Sequence, residues 1–153
     1  YTIRRPLDIG AAFAGATQEQ HEALAGAALP LGRAFQWRDD VLGVFGDADL
    51  TGKDSGEDLR EGKLTLLVAE AFAGASGSDA ARLAGLFGRA DLGPDEVAEA
   101  RAIITASGAA ERVERAIADE YHRALAALDG ADLTARGRQA LRRLADVATR
   151  RAY

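Results

Sequence analysis

The 153-residue chain has no cysteine and no methionine, and only three prolines, two lysines and two histidines. The absence of cysteine excludes a disulfide scaffold, a cysteine-ligated zinc ribbon and thiol catalysis. Translation starts with methionine, so Tyr1 is not a plausible start, and the expectation is a processed N-terminus or a fragment. Aromatic residues make up 6% of the chain, whereas 35 residues are alanine, the strongest helix former. No long apolar run is present either. The longest, residues 64–73, contains Glu70 and falls short of the roughly 20 residues needed to span a bilayer. The N-terminus has no signal-peptide pattern. These absences lead us to expect a soluble, cytoplasmic, all-α chain without a transmembrane segment, and nothing in them points to nucleic acid as a partner.

What is present is unevenly distributed charge. The net charge is −5, yet residues 39–61 hold eight acids (Asp39, Asp40, Asp47, Asp49, Asp54, Glu57, Asp58, Glu61) against Lys53 and Arg60, leaving −6 in that stretch. The last 21 residues carry six arginines against Asp146 alone. The acidic block suggests hard cations. The basic end (Arg142, Arg143, Arg150, Arg151) reads as a solvated helix face or as an anion-attracting tail.

The pattern predicts about seven helices and no strand. Residues 6–16 read as a buried helix opened by Pro6. Thr17 and Gln20 have capping-box spacing and open a second helix, which runs to about Phe45 with a kink expected at Pro30. Residues 46–62 hold glycines and no apolar period, and read as one long loop. Helices follow over residues 64–73 and, capped by Ser78, over 79–87. Another opens at Gly93-Pro94, with Asp95 and Glu96 in its first turn, and breaks at Ser107-Gly108. Residues 109–128 place Val113, Ile117, Tyr121, Leu125 and Leu128 on one stripe, and residues 133–151 turn Leu141, Leu144 and Val147 inward. The arrangement is a helical bundle or part of one. His21 and His122 lack ligand spacing and read as structural or surface residues.

The chemistry concentrates in residues 32–66. Asp39 and Asp40 lie mid-helix among Phe35, Trp37, Val41 and Leu42, and adjacent carboxylates repel unless a cation sits between them. Oxygen-only ligands select Mg²⁺ or a similar hard ion, which keeps waters and bridges to phosphates. Gln36 precedes Asp39 by three residues and Asp40 by four, and shares their face. Lys53 and Lys63, the only lysines, follow closely, and a lysine is a point charge suited to phosphate. Carboxylates, Mg²⁺ and lysines together describe a diphosphate site.

Three stretches carry a family resemblance. They are Phe35-Gln36-Trp37-Arg38-Asp39-Asp40, then Gly52-Lys53, then Gly56-Glu57-Asp58-Leu59-Arg60-Glu61-Gly62-Lys63-Leu64-Thr65-Leu66. They resemble the second aspartate-rich region of trans-type polyprenyl (isoprenyl) diphosphate synthases, and Tyr1-Thr2-Ile3-Arg4-Arg5-Pro6-Leu7 resembles the segment upstream of it. The resemblance implies that residues 1–153 are the C-terminal portion of a single polyprenyl synthase domain, part of the isoprenoid-synthase helical bundle. It implies that Asp39 binds a Mg²⁺ bridging the allylic diphosphate and that Asp40 orders metal-bound water. Lys53 and Lys63 hold the same diphosphate, Gln36 and Phe35 line the reacting centre, and Asp58 helps through water. The implied activity is Mg²⁺-dependent condensation of an allylic diphosphate with isopentenyl diphosphate, by a protein that is a homodimer at full length. Where the family motif often has a third aspartate, this chain has Gly43. The family's first aspartate-rich motif and its isopentenyl diphosphate-binding residues are absent from the sequence, so the chain alone is expected to be inactive.

Two other classes fit the sequence less well. A calcium-binding module would use Asp47, Asp49 and Thr51 onward, with Asp58 at the twelfth position, but Thr51, Asp54 and Asp58 all miss the EF-hand pattern. A catalytically inactive regulatory subunit of a prenyl synthase is disfavoured by the retained Asp39, Asp40, Lys53 and Lys63.

Overall fold

A computed structural model describes residues 2–46 and 56–150. Among them are eight helices and no strand: α1 (Arg4–Phe13), α2 (Gln18–Phe45), α3 (Glu57–Arg60), α4 (Leu66–Gly74), α5 (Gly77–Leu86), α6 (Pro94–Ala106), α7 (Ala109–Asp129) and α8 (Ala135–Thr149). The eighth, beyond the expected seven, is α3, a single turn inside the stretch read as a loop. The chain divides into two units. The first takes α1, α2 up to Gln36, and the chain from Ala116 on; the second is Trp37–Arg115.

In the first unit, α2 opens as the sequence predicts. The Thr17 N–H donates to Gln20 Oε1 (3.0 Å) and the Gln20 N–H donates to Thr17 Oγ1 (3.2 Å). The helix then runs unbroken through Pro30 to Phe45. Two buried clusters hold the unit together: Ala11, Leu24, Ala27 and Leu128, and Leu31, Tyr121, Ala124 and Ala145. Half of these positions are alanine, which brings the helices close together. Glu120 is buried and accepts from Arg33 (3.3 Å) and Arg123 (3.1 Å).

Two expectations in this unit are corrected. Helix α1 begins at Arg4, so Pro6 is its third residue, still within the turn whose N–H groups have no partner inside the helix. The helix is also not buried: Ala11 packs, while Ile9 and Phe13 stand out on the far side, Phe13 at 90% exposure. On α8 the buried residues are Ala145 and Thr149; Leu144 and Val147 are exposed and Leu141 is half-buried. Ala145 packs in the Tyr121 cluster with Ala148 against it, and the large side chains line an apolar cavity described below. Two arginines of the basic end are engaged. Arg142 pairs with Asp129, and Arg150 pairs with Asp146 and stacks over the Tyr121 ring.

In the second unit, α4, α5 and α6 pack on one another. Their core is Leu67, Val68, Ala71, Leu83, Leu86, Val97, Ala100 and Ile104, joined by Val41, Val44, Leu59 and Val113. The cap of α5 is Ser76, not Ser78; its hydroxyl donates to Asp79 (2.8 Å). Helix α6 starts at Pro94 as expected, and Glu96 reaches back to accept from the Gly93 N–H (3.0 Å). That bond and Arg89 hold the Glu96 carboxyl below its usual range. Arg112 ties α4 to the turn before α7, donating to the Glu70 carboxylate, the Glu70 carbonyl and the Ser107 carbonyl.

Candidate functional site

The last turns of α2 carry Phe35, Gln36, Asp39 and Asp40. Gln36 is exposed, Phe35 and Asp39 are half-buried, and Asp40 is 6% exposed. Phe35 belongs to the first unit, where it lines an apolar cavity of about 300 Å³ together with Leu31, Leu141, Leu144 and Val147.

The second half of the motif explains itself residue by residue. Gly56, with φ of 84°, precedes α3. After one helical turn the chain reverses at Gly62, whose φ of 66° favours glycine. A Cβ at Gly62 would also lie 3.0 Å from the Gly88 Cα, and the Gly88 N–H donates to the Leu59 carbonyl at 2.8 Å. The Lys63 N–H donates to the Asp58 carbonyl (3.0 Å), which closes the turn. Thr65 is the cap of α4, its hydroxyl accepting from the Val68 N–H (3.3 Å).

This turn sends the Lys63 side chain back to α2. Its ammonium donates to Asp40 Oδ1 at 2.9 Å and to Asp58 Oδ2 at 3.1 Å. Asp58 is 8% exposed, and the Lys63 side chain keeps 44% of its surface open. Partial burial acts against the ammonium, but the hydrogen bonds and charges of the two aspartates outweigh it and raise the Lys63 pKa above the ordinary lysine value. The structure thus brings Asp40, Asp58 and Lys63 into one cluster, with Asp39 beside them on α2. Among the described residues, no three acidic or histidine side chains converge as a metal-binding group. Lys53 lies outside the described residues, as do Asp47, Asp49, Thr51 and Asp54 of the calcium-loop reading.

Sequence reasoning missed two residues that hold α2 in place. Arg38 is 7% exposed and makes a bidentate pair with Glu114 (2.6 and 2.7 Å). Arg101 Nε donates to the Val44 carbonyl in the last turn of α2 (2.6 Å). Neither partner is within reach in sequence, so no local spacing signals them.

The polyprenyl synthetase family model matches residues 1–104. The chain belongs to the polyprenyl synthetase family. It is 37% identical over 105 residues to a short chain isoprenyl diphosphate synthase of Methanocaldococcus jannaschii, covering 69% of this chain and 32% of the relative. It is 35% identical over 147 residues to the short chain isoprenyl diphosphate synthase of Methanothermobacter thermautotrophicus, covering 94% and 43%. Among solved structures, a geranylgeranyl pyrophosphate synthase from Corynebacterium glutamicum, complexed with isoprenyl diphosphate and magnesium, superposes with a TM-score of 0.95 at 41% identity, covering 99% of this chain and 43% of that one. A polyprenyl synthase from Caulobacter crescentus, complexed with calcium and isoprenyl diphosphate, gives a TM-score of 0.86 at 36% identity, covering 98% and 46%. The chain therefore spans less than half the length of these members of its family, and the helical fold is theirs.

Proposed function

We propose that this chain is the C-terminal portion of one polyprenyl synthase domain, and that the whole protein condenses an allylic diphosphate with isopentenyl diphosphate. In that reaction the allylic C1–O bond breaks and the diphosphate leaves with its electron pair. C4 of isopentenyl diphosphate bonds to C1, a proton leaves C2, and the product is five carbons longer. The observation that carries the proposal is the Asp40–Lys63–Asp58 cluster, built from the motif residues of a family member.

The cluster suits a hard divalent cation. Two carboxylates share one ammonium, and Asp39 brings the formal charge to −2 with oxygen donors only. The ammonium already seated between Asp40 and Asp58 is evidence that the position accepts positive charge. Asp39 and Asp40 would hold Mg²⁺, which when bound neutralises charge developing on the leaving diphosphate. Lys63, with almost half its side chain open, offers its free N–H to the same diphosphate, and Lys53 joins it. Both stabilise the leaving group most as its negative charge grows. Phe35 and Gln36, one turn before the aspartates, line the reacting centre. The chain's partners on this reading are the two diphosphates and a second copy of the full-length protein, in the cytoplasm.

The direct test is Asp39→Ala in the full-length protein. The expected result is a loss of about 10²–10³ in kcat, the scale seen when one electrostatic stabiliser of a transition state is removed. Unchanged kinetics at low Mg²⁺ would overturn the assignment.

A further inference from the structure

Gly43 stands in α2, three residues after Asp40, with a backbone that does not need glycine: it is not among the residues of positive φ. Glycine inside a helix is unfavourable relative to alanine, so some other constraint retains it. That constraint is space. A Cβ at Gly43 would lie 2.4 Å from Asp58 Oδ2, 2.5 Å from its Cγ and 2.9 Å from Oδ1. The Asp58 carboxylate, 11% exposed as a side chain, thus lies against the backbone of α2, in the place where a side chain at position 43 would begin. From there it accepts from the Lys63 ammonium, whose other bond goes to Asp40 on the same face of α2.

We propose that Gly43 is the seat of the Asp58 carboxylate, and that Asp58, so seated, is a positioning residue that aims the Lys63 ammonium. The seat is a property of this chain's packing. The aiming rests on the proposed function, because the target of Lys63 is the diphosphate. At Gly43 no side chain stands between the α2 backbone and the Asp58 carboxylate that reaches it from α3. The empty space at Gly43 is what lets it reach the ammonium between the two elements. A side chain at 43 pushes the carboxylate outward, breaks its bond to Lys63, and leaves Asp40 to hold the lysine alone.

The test is a double-mutant cycle of Gly43→Ala and Asp58→Ala in the full-length protein, with Asp58→Asn as a variant that keeps the shape and removes the charge. Two quantities are measured. The first is stability by urea unfolding. Gly43→Ala should destabilise when Asp58 is present, and should become neutral or stabilising when position 58 is alanine and the seat is empty. An equal effect in both backgrounds overturns the seat.

The second quantity is the dissociation constant of inorganic diphosphate with Mg²⁺, measured by calorimetry. Gly43→Ala and Asp58→Asn should each weaken it about tenfold, the scale of one charge-assisted hydrogen bond. Gly43→Ala should add nothing to Asp58→Ala. Coupled stability with unmoved diphosphate affinity makes the seat purely structural and overturns the aiming. A wild-type protein that binds no diphosphate refutes both the aiming and the proposed function, while the unfolding cycle still decides the seat.

Discussion

Arg38 and Asp40 are two residues apart on α2, and both are buried, at 7% and 6% exposure. Helix geometry turns two such residues about 200° apart, so they face nearly opposite sides. Arg38 takes Glu114 on one side and Asp40 takes Lys63 on the other. Asp39 lies between them, about 100° from each, so the two pairs fix the rotation of the carboxylate that the motif assigns to metal. Removing Arg38 leaves Glu114 without its bidentate partner. Breaking a fully buried pair costs about 3–5 kcal/mol, and Glu114 is partly open to water, so Arg38→Ala should cost about 2–3 kcal/mol. Urea unfolding of the variant measures this, and a loss below about 0.5 kcal/mol, the range of ordinary surface changes, would contradict it.

At the scale of elements, caps and turns set the boundaries. Helix α6 depends on a carboxylate that reaches back to its first free N–H, and the consequence is a pH dependence. The Glu96 pKa is lowered in the folded state, mainly by the Gly93 N–H and then by Arg89. A lowered carboxyl pKa adds stability that is fully present above the unfolded value of about 4.3, and that is lost as pH falls through the folded value. Glu96→Gln removes the contribution at every pH. The melting temperatures of wild type and variant should therefore differ at about pH 6 and converge only as the pH falls through the lowered folded value, below the unfolded value of about 4.3. A difference that persists unchanged in acid would refute the linkage.

Local signals were legible where the side chain itself makes the boundary: Thr17 with Gln20, Gly93 before Pro94 and the stripe from Val113 to Leu128 all stand in the structure, whereas the starts read at Pro6 and Ser78 lie two residues earlier, at Arg4 and Ser76. The facing of α1 and α8 was not. Both helices carry apolar residues on more than one side, and alanine, common everywhere in this chain, does not mark which side is inward. So Ala145 and Thr149 took the buried face of α8 while Leu144 and Val147 did not. The cluster at Lys63 was half legible. The motif named Asp40, Lys63 and Asp58, the last as helping through water, but the direct Asp58–Lys63 bond depends on a reversal at Gly62 that no periodicity reveals.

The chain spans less than half the length of the solved synthases it resembles. It supplies one aspartate-bearing helix, and it leaves Ile9, Phe13, Leu29, Leu64, Leu144 and Val147 exposed. Apolar side chains scattered singly over a surface are ordinary. Here, however, Leu144 and Val147 border the same cavity as Phe35, a residue of the motif. On the proposed function the site needs residues beyond this sequence, so the purified 153-residue chain should form no polyprenyl diphosphate from allylic and isopentenyl diphosphates with Mg²⁺. Product analysis by mass spectrometry checks this, and turnover free of contaminating synthase would overturn it.

The crossing of Gly62 with Gly88 bears on how such a sequence can change over generations. The two positions are far apart in the chain, and only one belongs to the motif. A side chain at 62 would run into the backbone at 88, and position 88 has its own left-handed φ of 79°. Each position is closed to other residues by its own positive φ, and a side chain at 62 is closed a second time by the backbone at 88. The turn that delivers Lys63 is therefore constrained in part by a residue that no motif search would include, and any lineage that loses the glycine at 88 puts the lysine's placement at risk.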